Sequence, residues 1–514
     1  MPFDRRRFFT QSGAIAATSL VAPQVTRPAE PSGARPGQKP RHIIHLVADG
    51  MSSGTLTCAD HLSHLLRGRG LTWMQLLNRP DTHTGVMDVR SLNSLVTDSS
   101  ASACAWGSGS RIVNGTVNIL PDGTTLRTLY ELFGEAGWKR ALVTTTEITH
   151  ATPAGFAASG LKREAAPAIA KQYLERKIEV LLGGGQHYFD PALMKDPVKR
   201  RLVLDLYPDY KAAGYAVMKT AAELRAAPLD KPWLGTFAIS HLPFTLDARA
   251  DDAAKAAAPT LAELTTLALK KLQREPHFIM QVEGGRVDHG GHACDAAAAL
   301  HDQIAFDEAM DVCLEFQKRH PDTLLVFTTD HGTGNPGLNG AGREYNLSDP
   351  LFKNLLNVRR SFSYIATTLG SEEYPVDFKV PREPADVARV ILDATGYEIR
   401  ADQLATLLPF MEKKGRALYG LQSNWSSQLG QLMGNHIGIG WSANTHTADY
   451  VPILALGPGA ERFRGFIQNT DVFRHYTQLA GIDFKNPTAP PQTASARGPR
   501  REDADLHWHH DALA

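Results

Sequence analysis

Acidic residues and histidines gather in this sequence just behind short apolar runs. Asp49 follows HIIHLVA, Glu283 ends HFIMQVE, Asp330-His331 close TLLVFTTDH, and His150 and Thr152 stand a few residues beyond RALVTTTE. The segment VEGGRVDHGGH adds Asp288 and His292, four positions apart. If a helix starts there, the two share one face and can serve as ligands of one metal ion. A surface i,i+4 ion pair is the competing reading, but it leaves Glu283-Gly284-Gly285 straight after a buried strand unexplained. Mixed histidine and carboxylate donors suit zinc, whereas the oxygen-only set Asp49, Thr152 and Glu283 suits magnesium.

The stretch LVTDSSASACAWGSGSR, residues 95–111, carries a different chemistry. Asp98-Ser99 precedes a run of small residues that reads as a helix. Ser99 is then either a helix cap or a nucleophile, and the stretch alone leaves both open.

These residues need a scaffold that brings distant segments together. The apolar runs at 42–50, 140–147, 178–185, 277–285, 323–332 and 451–459 are rich in Val, Ile and Leu with little alternation. Strands buried on both faces look like this. Helix-length amphipathic segments such as LHDQIAFDEAMDVCLEFQKRH lie between several of them. The alternation predicts an α/β fold, a three-layer α/β/α sandwich around a mostly parallel sheet. Ligands of such sheets bind beyond the carboxyl ends of the strands, where these acids and histidines fall. Residues 340–440 are too long for a crossover and are expected to form an inserted cap or crown-like lid subdomain.

Taken in order, VADGM, VTDSSASACAW, THATPAG, VEGGRVDHGGH, TTDHG and NTHTADYVPILALGPG resemble the active-site blocks of the alkaline phosphatases, over roughly residues 42–459. His150 before ATP and His289 after Asp288 lean toward the animal-type pattern. The resemblance implies that Ser99 is the phosphorylated serine. It implies two zinc ions, one on Asp49, Asp330 and His331 and the other on Asp288, His292 and His446. It also implies one magnesium ion on Asp49, Thr152 and Glu283, with His150 and His289 nearby, and Arg163 as the clamp on phosphate. The reaction implied is hydrolysis of small-molecule phosphate monoesters through a phosphoserine, with zinc activating hydroxyl and water in place of a base.

A sulfatase would need a Cys/Ser-x-Pro-x-Arg block, and Ser99 is followed by Ser100-Ala101-Ser102 without proline. A phosphodiesterase remains the alternative within the superfamily. A non-catalytic metal- or phosphate-binding protein is the alternative outside it, and such a module would have no use for Ser99. The natural substrate is not readable, and a homodimer is carried only as an assembly to test.

The 514 residues divide into an expected signal peptide over 1–25, a catalytic domain over 41–486 and a Pro-rich polar tail over 487–514. Lys+Arg and Asp+Glu balance at 54 each, so nothing in the charge asks for nucleic acid or an anionic membrane. The four cysteines form no cluster and read as core residues. In the leader, Arg5-Arg6-Arg7-Phe8-Phe9 before a short small-residue apolar run resembles a twin-arginine export signal, which implies a periplasmic or secreted protein without stable membrane insertion. Replacing Arg5 and Arg6 by lysine is expected to leave precursor in the cytoplasm. Unchanged export on cell fractionation would place the protein on the general secretion route.

Overall fold

The computed structural model describes residues 39–195, 200–370 and 383–491. The expected leader and the tail beyond residue 491 lie outside them. The six apolar runs form β1 (His42–Val47), β3 (Lys139–Glu147), β4 (Val180–Gly184), β7 (Phe278–Glu283), β8 (Thr323–Thr328) and β13 (Val451–Leu456). Four short strands complete the sheet: β2 (His83–Asp88), β5 (Ala216–Met218), β6 (Trp233–Thr236) and β14 (Gly465–Gln468). The ten run in the order β14-β2-β13-β8-β1-β7-β3-β4-β6-β5. Every pairing is parallel except those of β13, which runs against both β8 and β2.

The lack of alternation in the central strands has the expected cause. Ile44 and Leu46 of β1 pack into one apolar cluster, while Ile43 and Val47, facing the other way, pack into a second. Strand β8 divides likewise, Leu325 and Phe327 to one side and Leu324 and Val326 to the other. Side chains on successive strand residues point to opposite faces, so both faces must be covered. The helix Ala296–Arg319 covers the first face, and the helices Ser99–Ser108 and Asn469–Ala480 cover the second. All four cysteines are free and buried.

Two-residue strands β9 (Gly332–Thr333), β10 (Gly337–Leu338), β11 (Ile439–Gly440) and β12 (His446–Thr447) form two separate ladders, β10 with β11 and β9 with β12. Gly337 pairs with Gly440 across β10 and β11, so the segment between them departs and returns at one ladder. Its described part is mainly helical, and Phe352, Ile365, Val387, Leu407 and Leu429 join the core cluster of Ile44. Two aspartates of the body hold it: half-buried Asp247 accepts from the Ser361 amide at 2.9 Å, and buried Asp295 from the Phe362 amide at 2.6 Å.

The helices Ser99–Ser108 and Ala151–Ala157 touch backbone to backbone, which fixes two site-bearing elements against each other. A Cβ at Gly107 would lie 1.9 Å from the Gly155 carbonyl oxygen, and one at Gly155 would lie 2.7 Å from the Ala103 Cβ. Gly107→Ala gains about 1 kcal/mol of helix propensity. The collision costs about 1–3 kcal/mol or more because backbone cannot step aside. A net fall in thermal stability is expected, and a Tm at or above that of the parent would show that the helices are free to separate.

Candidate active site

The carboxyl ends of β1, β3, β7 and β8 deliver Asp49, His150 with Thr152, Glu283 with Asp288, and Asp330 with His331 to one edge of the sheet. Strand β13 runs the other way, so the chain that precedes it enters at the same edge and brings His446 on β12. Gly50 turns the chain after Asp49 with φ at +74°, and a Cβ there would fall 2.7 Å from the Asp288 carboxylate. Only glycine fits this crossing.

Three groups of metal-capable side chains result, each with its ligand atoms within 4.8 Å of one another: Asp49, Asp330 and His331; Asp288, His292 and His446; and Asp49, His150 and Glu283. The third differs from the oxygen-only set read from the sequence. His150 offers a nitrogen to it, while the Thr152 hydroxyl lies 3.3 Å from Asp49 Oδ2. The helix Arg286–His292 does begin where Asp288 and His292 need it, and their side chains approach to 3.4 Å.

Hydrogen-bond accounting within the second group points to a cation. His292 Nδ1 lies 2.7 Å from the Asn444 carbonyl, and His446 Nδ1 lies 2.8 Å from the Thr97 carbonyl. A carbonyl only accepts, so each Nδ1 carries its hydrogen. The two Nε2 lone pairs then face each other at 3.0 Å, beside Asp288 Oδ1 at 3.4 and 3.7 Å. Lone pairs do not tolerate that arrangement without a proton or metal ion between them.

The first and third groups make the same demand through their carboxylates. Asp49 Oδ1, Asp330 Oδ2 and Glu283 Oε1 are buried, with no hydrogen-bond partner among the described residues. Burial, then Asp330, Asp288 and Glu283, push the Asp49 carboxyl well above its ordinary range. Burial lifts Glu283 to about 7 against the hydroxyl of Thr144, which bonds Oε2 at 2.5 Å. Burial would raise Asp330 too, but His331 outweighs it and holds that carboxyl down. The donor set therefore fits the metal ions that the sequence leads one to expect.

Ser99 opens the helix Ser99–Ser108, and the cap belongs to its neighbour. Asp98 Oδ1 accepts from the Ala101 amide at 2.8 Å. Ser99 Oγ is left to face His331 Nε2 at 3.1 Å, so the nucleophile candidate touches the first metal group. The other oxygen of Asp98 accepts from the Gly115 amide at 2.8 Å and from Arg163 Nη1 at 3.1 Å. Arg163 thus stands at the site with a mostly buried side chain, its Nη2 at 3.5 Å from His150 Nε2, whereas Lys162 is exposed. His289 turns away from the second metal group. It accepts from Arg286 Nη1 at 2.5 Å and packs against His150 and His241.

Sequence reasoning did not single out Asp98 as an anchor, nor Thr144, Thr146, His241, Arg286 and Thr333. Thr144 and Thr146 both donate to Glu283 Oε2, and Thr333 contacts Asp288 and His331. For Thr333 the one available signal was adjacency, TTDHGT keeping it near Asp330 and His331, whereas Thr144 and Thr146 bond a glutamate far along the chain.

Comparison with known proteins gives a consistent picture. A family model described as alkaline phosphatase matches residues 40–482. Alkaline phosphatase 4 of Bacillus subtilis is 28% identical over 442 residues, covering 84% of this chain and 87% of that protein. Streptomycin-6-phosphate phosphatase of Streptomyces griseus is 32% identical over 378 residues, covering 65% of this chain and 82% of its own. Among solved structures, the alkaline phosphatase of Thermus thermophilus superposes with a TM-score of 0.81 at 34% identity, covering 92% of this chain and 98% of that one.

Proposed function

This chain belongs to the alkaline phosphatase family and hydrolyses phosphate monoesters, and on that premise we propose that Ser99 is the residue that takes the phosphoryl group. One observation carries the proposal: Ser99 Oγ sits 3.1 Å from His331 Nε2, inside a metal-capable group, at the first residue of a buried helix. Asp49, Asp330 and His331 are assigned to one zinc ion, Asp288, His292 and His446 to a second, and Asp49, Thr152 and Glu283, joined by His150, to magnesium. When bound, these ions supply Lewis acidity, lowering the pKa of a hydroxyl or water and neutralising charge on the phosphoryl oxygens.

The chain's own groups do the rest. The N-terminal end of the Ser99 helix, through its dipole, favours an anion there. Arg163 presents a planar fork for two non-bridging phosphate oxygens, and its bond to Asp98 aims that fork. Ser99 attacks phosphorus as the alcohol departs on the opposite side, and water then displaces Ser99 in line, so configuration at phosphorus is retained. Export through the leader is the cellular setting we propose. Among the described residues, no helix is long and apolar enough to cross a membrane.

The same 3.1 Å contact supports a second reading, in which His331 acts as an ordinary base toward Ser99 without metal. Against it, His331 Nε2 also lies 3.0 Å from Asp330 Oδ2 and 3.6 Å from Asp49 Oδ1, and two acceptor carboxylates beside that atom call for a hydrogen or a cation on it rather than a free basic lone pair. Chelation separates the two. Activity is expected to vanish with the metals and return with zinc plus magnesium, and full activity in metal-free protein would establish the base reading. Ser99→Ala is expected to abolish the acid-trapped phosphoenzyme and lower turnover by orders of magnitude with metal content retained. Phosphate trapped on Ser100 or Ser102 would refute the assignment.

Arg163→Ala is expected to weaken monoester and inorganic phosphate alike, because both present the same oxygens. The lost charge-assisted contact is worth about 1.5–3 kcal/mol, roughly ten- to hundred-fold in KM and in Ki for phosphate. Arg163→Lys keeps part of this and Lys162→Ala all of it. Phosphate inhibition weakened by the Lys162 change alone would move the clamp one residue back.

A further inference from the structure

Thr333 sits where four parts of the site meet. Its amide donates to the Gly50 carbonyl at 3.0 Å, next to Asp49. It pairs across β9 and β12 with His446. Its hydroxyl lies 2.5 Å from Asp288 Oδ1 and 3.2 Å from His331 Nδ1, and the residue is fully buried. One hydroxyl therefore touches a ligand of each group assigned to zinc.

A hydroxyl has one hydrogen to give, and its destination here is decided by the partners. Asp288 serves the second group as a carboxylate ligand, as assigned above. An ionised carboxylate only accepts, so at 2.5 Å the Thr333 hydrogen must point at Asp288. The oxygen is then free only to accept, and His331 Nδ1 must carry the hydrogen it offers. That leaves the lone pair of His331 Nε2 for a cation shared with Asp49 and Asp330, next to Ser99.

The methyl group has its own place. A Cβ on Gly291, in the helix that carries Asp288 and His292, would come within 3.0 Å of Thr333 Cγ2. The missing side chain at 291 is what lets the threonine methyl lie against that helix, so packing and hydrogen bonding together orient the hydroxyl.

We infer that Thr333 is a positioning residue that sets His331 and Asp288 in their ligating states at once and so couples the two metal groups of the site. The inference rests on the metal assignments proposed above. Removing such a bridge typically costs about ten- to hundred-fold in metal affinity. A shape-filling role alone would be satisfied by valine.

The test compares parent, Thr333→Val and Thr333→Ser by zinc content after dialysis against a graded series of chelator concentrations, with kcat and KM on a monoester recorded alongside. Valine keeps the methyl and puts a second one in place of the hydroxyl. It is expected to release zinc at about ten- to hundred-fold lower chelator and to lose kcat more than KM. Serine keeps the hydroxyl and is expected to recover most of both. Val retaining zinc and kcat like the parent, or Ser failing as badly as Val, overturns the inference. Should the Val chain not fold, nitrogen-15 histidine spectra of the zinc-loaded parent decide the matter, because a hydrogen on Nε2 of His331 rather than on Nδ1 is incompatible with the bridge. A parent that binds no zinc while hydrolysing monoesters would sink the metal assignments and this inference with them, an outcome distinct from a parent that binds zinc and a Val variant that matches it.

Discussion

Four carboxylates buried within one small volume impose the constraint around which this molecule is organised. Asp49, Glu283 and Asp330 are fully buried and Asp288 is nearly so, and among the described residues no lysine or arginine pairs with any of them. Taking isolated charges out of water is among the costliest steps in folding. The histidines offset only part of it, as the upward displacement of Asp49 and Glu283 shows. Cations held among these groups would relieve that cost, and metal binding and folding would then belong to one equilibrium.

The sheet reconciles that constraint with a stable core. Strands covered on both faces fill the interior with apolar side chains, and the polar residues are displaced to the strand ends, where the backbone leaves its ladder. Parallel strands put all their carboxyl ends on one edge. The reversed β13 looks like an exception, yet its reversal is what lets a metal-capable side chain that precedes a strand, His446, arrive beside those that follow strands. Local backbone contacts then complete the arrangement. The carbonyls of Asn444 and Thr97 turn two imidazoles so that their Nε2 atoms point inward.

What was legible in the sequence follows from the same physics. The six long runs could be read because burial on both faces suppresses alternation. Strands β5 and β6, of three and four residues, are too short to carry any period, and β2 and β14 lie toward one margin of the sheet with exposed Val86 and Phe466. Acids and histidines at strand ends stood out because those side chains are conspicuous there. Threonine is not, since its role depends on what the fold brings near it. Thr144, Thr146 and Thr333 look like ordinary strand residues until the segments meet. His150 was read as a neighbour of the magnesium set, because spacing along one segment cannot say which way an imbalance of a single helical turn will aim a ring. The insertion's length was visible, whereas its burial in the common core was not, since that depends on Asp247 and Asp295 a long way off in sequence.

Asp98 shows why adjacency in sequence can matter more than either residue alone. Reading Ser99 as either a cap or a nucleophile set the two roles against each other, but the carboxylate beside it caps the helix through Oδ1 and leaves the serine hydroxyl to face His331. Through Oδ2 the same carboxylate holds the Gly115 amide and the Arg163 guanidinium. The helix that aims Ser99 and the loop that carries Arg163 are therefore registered by one side chain, with little freedom to drift apart. In-line displacement depends on that registration, because misplacing a nucleophile against a held phosphate by about 1 Å costs about a hundred-fold in rate. On the assignments proposed above, Asp98 thereby sets how far apart the Ser99 oxygen and the Arg163 guanidinium are held.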